Sequence, residues 1–219
     1  SIRPGARVAF QGEPGSFSQH AGKKIFGSGI EPITCFSFED VFNAVVRDEA
    51  ECGVIPIENT LAGSIYQNYD LLARHSLEIV AETSLRVEHN FIVHPGAGIR
   101  QITHVYSHPA ALDQCKRLLR RFKKIEKVSF YDTAGSVKFI RDSKLRNAAA
   151  IASEDAARIY GMKILRRHIE DDPENFTRFL ALSRRGRFPR GGGKTSIVFG
   201  LKDEPGVLFK ALSVFALRN

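Results

Sequence analysis

With 219 residues, 43% of them hydrophobic, the chain is long enough to bury one or two cores, and no apolar run approaches the ~20 residues that cross a bilayer. A net charge of +8 and a pI of about 9.6 would admit a nucleic-acid partner. The basic residues are scattered, however, and there is neither zinc-finger spacing nor an aromatic RNA-binding signature, so no nucleic acid is expected. The three cysteines, Cys35, Cys52 and Cys115, have an odd count and no metal spacing. Two of them lie in apolar strand patterns, which favours buried, reduced thiols and a reducing compartment. The N-terminal S-I-R-P-G-A-R lacks the apolar core of a signal peptide, so a cytoplasmic location is expected.

In chain order, Arg7 to Gln11 reads as a strand with Val8 and Phe10 apolar. The turn G-E-P-G-S at 12–16 leads into a helix capped by Ser16 and stopped by Gly27. Glu31 to Phe36 is a second strand. Ser37 with Asp40 resembles a capping box opening a helix from Phe38 to Arg47. Cys52 to Ile57 is a third strand ending at Glu58, Asn59 and Thr60, followed by a helix from about Ser64 to Arg74. Two longer extended segments, Leu77 to Leu85 and His89 to His94, interrupt the alternation. It resumes with a strand at His104 to Ser107 and a helix with Pro109 in its first turn. A strand at Lys127 to Tyr131 precedes a helix at Thr133 to Arg141, and one at Ala148 to Ala152 precedes a helix capped by Ser153 and ended by Gly161. Met162 to His168 leads on to Ile169–Phe179, I-E-D-D-P-E-N-F-T-R-F, an acidic turn that becomes strand-like from Phe176.

Repeated strand–helix alternation predicts an α/β fold. The interruption near 77–94 divides it into two similar lobes, one spanning 1 to about 82 with 162–183 returning to it, the other about 84 to 160. Two crossing strands would make a hinge and leave a cleft between the lobes. Gly12, Glu58, Asn59, Ser107, His108, Asp132, Thr133 and Ser153 fall at the carboxyl ends of predicted strands, where open α/β sheets bind ligands. Helix N-termini there suit a carboxylate or phosphate, so the cleft is predicted to take a small anion. Ser16, Ser37 and Ser153 read first as helix caps. Glu58 is an unusual choice at the end of the apolar strand G-V-I-P-I. Asp132 either faces the cleft or caps its helix, and His108, before Pro109, shapes a turn. Arg178 and Thr177 are adjacent in a strand and should point to opposite faces.

The same positions carry a family resemblance. G-E-P-G-S-F-S (12–18), G-V-I-P-I-E-N-T (53–60), Y-S-H-P-A-A-L-D-Q-C (106–115), Y-D-T-A-G-S-V (131–137), A-A-I-A-S-E-D-A-A (149–157) and N-F-T-R-F (175–179) together resemble prephenate dehydratase, a pattern that the plant arogenate dehydratases share. The resemblance implies a two-lobed fold like the periplasmic binding proteins. It implies decarboxylating dehydration of prephenate to phenylpyruvate in phenylalanine synthesis, or the same reaction on arogenate, with no metal or organic cofactor. By the resemblance Thr177 is the central catalytic residue, donating to the departing oxygen, and Glu58 is a second candidate for protonating it. Asn59, Gln114 and Asn175 would orient the substrate, with Ser16 and Asp132 as further substrate-binding candidates. Arg178 would either pair with a carboxylate or brace the strand from behind. The family is usually dimeric or tetrameric, so a homodimer or homotetramer is expected, in the plastid stroma if the source is a plant or alga. A non-catalytic two-lobed binding protein for a small anion is the alternative from another class.

Residues 184–193 read as a basic linker. Lys194 to Leu201 then reads as a strand and Val207 to Leu217 as a helix, resembling the start of an ACT regulatory domain. Gly206, Val207 and Leu208 match a segment that helps bind phenylalanine as effector. The chain stops at Asn219, before that domain's remaining elements, and Val198, Phe209, Leu212 and Phe215 would form an apolar face in need of a partner.

Overall fold

The computed structural model describes residues 3–122, 124–184, 194–195, 197 and 199–218. The first strand, β1 (Arg7–Gln11), buries Val8, Ala9 and Phe10 in succession, the signature of a parallel strand covered on both faces. Ser16 caps α1 (Phe17–Phe26) by accepting from the Gln19 N–H, and Gly27 ends it at φ 90°. β2 (Glu31–Cys35) runs parallel to β1, and α2 (Phe38–Val46) opens with the capping box expected of Ser37 and Asp40. β3 (Cys52–Asn59) is buried through its first six positions. β4 (Gly63–Ser64) folds back on β3, so α3 (Tyr66–Arg74) begins two residues after the expected Ser64. β5 (Leu77–Arg86) completes the first run.

The chain then enters a second sheet with β6 (Asn90–Val93), followed by β7 (His104–Ser107), α4 (Pro109–Asp113), α5 (Lys116–Leu119), β8 (Glu126–Ser129), α6 (Thr133–Asp142), β9 (Ala148–Ala152), α7 (Glu154–Ile159) and β10 (Lys163–Arg166). It returns to the first sheet as β11 (Phe176–Arg184) and ends in α8 (Val207–Ala216). The first sheet runs β2-β1-β3-β11-β5 with β4 added beside β3; the second runs β10-β6-β9-β7-β8. This is the two-lobed α/β organisation that the alternation predicted. The return crossing comes later than expected, because β10 pairs antiparallel with β6 and belongs to the second lobe. Each sheet carries apolar clusters on both faces, Val41, Phe42, Ile55 and Leu182 on one side of the first and Val8, Val54, Leu85 and Phe179 on the other.

The two crossings, 87–89 and 167–175, are bonded side by side. The Val87 N–H donates to Asn175 O at 2.7 Å and the Ile169 N–H to His89 O at 2.9 Å. The Glu170 carboxylate accepts from the His89 N–H at 2.9 Å. The helix expected to continue from Pro109 is split at Gln114–Cys115 for the same reason. Asp171 donates its N–H to Gln114 O at 2.6 Å and accepts from the Arg117 N–H at 2.9 Å. The return crossing thus pairs with backbone groups that a continuous helix would satisfy internally.

Among the described residues of 194–201 no strand forms. Ser196 and Val198 lie outside the described residues, as do 185–193 of the predicted linker. Lys194 pairs with Glu82. α8 starts at Gly206 in the left-handed region, φ 80°, and leaves Leu208, Phe209, Leu212 and Phe215 exposed. Among the described residues no helix is long and apolar enough to cross a membrane.

Candidate active site

Antiparallel pairing of β3 with β11 sets Asn59 opposite Thr177 and Glu58 opposite Arg178. Thr177 is buried, and Asn175 fully so. The Asn59 side chain is oriented by backbone groups that can act in one way. Its Oδ1 accepts from the N–H groups of Leu61 and Ala62 at 3.0 and 2.9 Å, and its Nδ2 donates to Phe176 O at 3.0 Å. The same Nδ2 reaches Thr177 Oγ1 at 2.9 Å and Asn175 Oδ1 at 2.7 Å. The amide nitrogen shares its two protons among these three acceptors and cannot itself accept, so the Thr177 oxygen is the acceptor in this contact and its own proton is not spent on Asn59. Among the described residues nothing else bonds to that hydroxyl.

From Asn175 the polar chain passes to the second lobe. Asn175 Nδ2 donates to Gln114 Oε1 at 3.0 Å, and His89 Nε2 lies 2.9 Å from the same oxygen. Asn59, Gln114, Asn175 and Thr177, four of the residues singled out from sequence, are thus joined in one hydrogen-bonded chain. His89 was not singled out; a lone His in an apolar extended segment reads as packing. The signal that could have found it is its place in V-E-H-N, at the joint between the two halves.

Glu58 and Arg178 stand elsewhere. Neighbours on a strand face opposite sides of its sheet, so the pairing that joins Asn59 to Thr177 carries Glu58 away from the Thr177 hydroxyl. Arg178 binds Glu82 through Nε at 3.0 Å and Nη2 at 2.5 Å, and Glu58 through Nη1 at 3.3 Å. With Lys194 also on Glu82, the two cations and two carboxylates balance, and the Arg178 guanidinium is already committed to carboxylates of the chain itself. Of the two sequence readings of Arg178, the geometry supports bracing. A hollow of about 300 Å3 at the end of β3 is lined by Glu58, Asn59, Thr60, Ser84, Phe176 and Arg178, so it reaches both Asn59 and the Glu58–Arg178 pair. A larger one, about 400 Å3, lies between Arg117, Arg121 and 166–171; two of its cations are matched, Arg117 by Asp171 and Arg167 by Glu154.

The G-E-P-G-S turn closes onto the second lobe. Of the two readings of Asp132, the structure shows the cap, and the second carboxylate oxygen is taken up by the turn at Glu13. Asp132 Oδ1 caps α6 through the Ala134 N–H at 2.9 Å, and its Oδ2 accepts from the Glu13 N–H at 2.6 Å. Burial pushes its carboxyl above the usual Asp range, against the pull of those N–H bonds. The Glu13 carboxylate meets the Tyr131 hydroxyl at 3.0 Å and Lys138 at 2.9 Å. Ser153 Oγ donates to Gly15 O at 2.6 Å while accepting from the Ala156 N–H at 3.0 Å. Ser16 is buried in its capping role at the same seam, and His108 shapes its turn by accepting from the Ala110 N–H at 3.2 Å.

Two α/β lobes, each with its own sheet and joined by a polar chain that draws residues from both, define a two-lobed α/β protein. The chain belongs to the prephenate dehydratase family, whose model matches residues 8–187. It is 47% identical over 215 residues to "Arogenate dehydratase/prephenate dehydratase 2, chloroplastic" of Arabidopsis thaliana, which covers 97% of this chain and 56% of the relative. The chain spans about half the length of the curated relatives it matches. Among solved structures, the prephenate dehydratase of Arthrobacter aurescens in complex with L-Phe superposes with a TM-score of 0.84 at 26% identity, covering 97% of this chain and 72% of that one. A structure described as GqqA, a novel type of quorum quenching acylase, gives a TM-score of 0.80 at 32% identity over 96% of this chain and 77% of that one.

Proposed function

We propose that the chain carries out the decarboxylating dehydration of a prephenate-type substrate, prephenate or its amino-acid analogue arogenate, in phenylalanine biosynthesis. The observation that carries this is the Thr177 hydroxyl, held as acceptor by Asn59 Nδ2 at 2.9 Å and so left with its proton to give. Such a substrate has a ring hydroxyl opposite a carbon bearing a carboxylate. Loss of carbon dioxide delivers an electron pair into the ring as hydroxide departs, and aromatisation drives the step. The enzyme has to hold the ring still and stabilise the leaving oxygen. A fixed hydroxyl donor at that oxygen does this without full proton transfer, which an alcohol of ordinary acidity could not supply.

Gln114, reaching in from the second lobe, has a side-chain N–H2 that makes no hydrogen bond among the described residues. It is the natural donor to a substrate carboxylate or carbonyl. Glu58, the second candidate, is paired with Arg178 at 3.3 Å, which favours a structural role for it over proton donation. The names of the Arabidopsis relatives join arogenate and prephenate dehydratase and place them in the chloroplast; those names support both substrates and a plastid location here. Phenylalanine as an effector acting through Gly206, Val207 and Leu208 belongs to the same reading, supported by the L-Phe complex of the Arthrobacter relative; a homo-oligomer is part of the proposal as well. The test is to incubate the chain with prephenate and with arogenate separately and follow phenylpyruvate and phenylalanine. Turnover of one or both is expected, their ratio assigning the substrate. Failure of both would remove the catalytic reading in favour of a binding protein for a small anion.

A further inference from the structure

The hydrogen-bonded chain that ends at Thr177 begins at a residue with no assigned role. His89 lies on the first crossing between the sheets and is 2% exposed. It meets the Phe17 ring edge-on with centroids 5.8 Å apart. Its Nε2 is 2.9 Å from Gln114 Oε1, while its buried Nδ1 has no hydrogen-bond partner among the described residues.

The proton positions along the chain follow from fixed groups at its other end. The Leu61 and Ala62 N–H groups can only donate and Phe176 O can only accept, so Asn59 must present Oδ1 to the first two and Nδ2 to the third. Asn175 must then meet Nδ2 with its own Oδ1, which turns its Nδ2 towards Gln114. Gln114 must answer with Oε1. An oxygen that accepts from Asn175 accepts from His89 as well, so His89 carries its proton on Nε2 and leaves Nδ1 bare. Burial holds the ring below the usual His range, outweighing the Gln114 bond and the Glu170 carboxylate, both of which favour the charged form. A buried acceptor left unpaired costs stability that an apolar side chain of similar size would not lose. The imidazole is therefore a poor choice for packing alone.

We infer that His89, as the neutral Nε2–H tautomer, is a positioning residue that locks the Gln114 amide between two donors and so presents the Gln114 N–H2 to the substrate. The inference rests on the catalytic reading above and adds a residue to it. With one donor removed, Gln114 is tethered through Asn175 alone. Rotation of its amide would then place N–H2 against N–H2, breaking the polarity that runs to Thr177.

Two variants of the full chain separate positioning from packing. His89→Gln returns an N–H donor near the site of Nε2; His89→Leu fills the space without one. With whichever substrate the wild type turns over, His89→Leu should lower kcat/KM by about 10- to 100-fold, the size expected of one lost buried hydrogen bond to a polar network, and His89→Gln should stay within about threefold of wild type. Thermal unfolding of each shows that the fold is kept. The 15N spectrum of imidazole-labelled protein at neutral pH should show a protonated Nε2 and a bare Nδ1. Equal activity of His89→Leu and wild type, or equal loss in both variants, would overturn the positioning role. A protonated Nδ1 would overturn the tautomer even if no substrate is turned over. Wild-type failure on both substrates removes the catalytic reading itself, an outcome the spectrum does not depend on.

Discussion

Asn59 and Thr177 are register partners on adjacent antiparallel strands, and the Asn59 amide nitrogen stands 2.9 Å from the Thr177 hydroxyl oxygen. That contact decides the direction in which Thr177 can act. Thr177→Ala should reduce turnover by about 100-fold or more, the scale of losing a donor to a developing oxyanion. Thr177→Ser should keep most of the activity, and both should fold, since the lost bond is worth about 1 kcal/mol. Steady-state kinetics with urea unfolding on the same preparations checks this; a Thr177→Ala enzyme of near-wild-type turnover would remove the hydroxyl from the mechanism.

Reversing the polarity of Asn59 is a harsher change than deleting it. Asn59→Asp sets a carboxylate oxygen against Phe176 O and Asn175 Oδ1, both of which need a donor. A buried acceptor facing acceptors costs about 1–3 kcal/mol. Asn59→Asp should therefore melt below wild type and be inactive at neutral pH, and should recover part of its stability in acid, where the protonated side chain can donate again. Stability that is flat or rising between acid and neutral pH would contradict the assigned polarity.

The sequence made the α/β alternation, the two lobes and most helix caps readable, because those depend on local pattern. Ser16, Ser37, Asp132 and Ser153 all cap as expected. The division of labour between Glu58 and Asn59 was not readable. Period-two alternation says that the two face opposite ways, but which face meets Thr177 is set by pairing with β11, a strand more than a hundred residues away in sequence. The break after α4 depends on Asp171, 54 residues beyond Arg117, and nothing local announces it. His89 was hidden for a related reason, since its meaning comes from the Gln114 that the second lobe brings to it.

Glu58 and Arg178 give a prediction of opposite sign to the family-based expectation. With Glu58 held by Arg178 at 3.3 Å on the far face, Glu58→Gln should leave the acid limb of the pH–rate profile in place and change kcat by no more than about twofold. Arg178→Gln should act on stability, costing about 1 kcal/mol for partly exposed ion pairs. A flattened acid limb in Glu58→Gln would bring that carboxyl back into the chemistry.

Gly15 is packed directly against the second lobe. Its φ is +91°, and a Cβ there would lie 2.6 Å from Ala156 Cα and 2.8 Å from Ala156 N. Backbone cannot yield as a side-chain tip can. Gly15→Ala should cost about 2–4 kcal/mol in overpacking and left-handed strain if the lobes stay closed. If they part instead, the Ser153–Gly15 bond is lost and activity falls with less loss of stability. Both outcomes are visible by measuring melting temperature and kcat/KM together; a variant normal in both would mean that the seam does not close in solution as it does here.

Asp132 makes that seam pH-dependent. Its folded-state pKa is raised, chiefly by burial with the Glu13 carboxylate adding to it, whereas the unfolded chain titrates near the ordinary Asp value of about 3.9. The native state thus binds the proton more tightly than the unfolded state. The stability it contributes is complete below the unfolded pKa and is lost as pH rises through the folded one. Asp132→Asn has no proton to lose and retains one oxygen for the two N–H donors of Glu13 and Ala134. The advantage of wild type over Asp132→Asn should therefore shrink as pH rises from about 3.5 towards neutrality. Urea midpoints of the two proteins at constant ionic strength measure this directly. An advantage that grows with pH would mean that the N–H bonds from Glu13 and Ala134 outweigh burial, leaving Asp132 a stabilised carboxylate at the lobe junction.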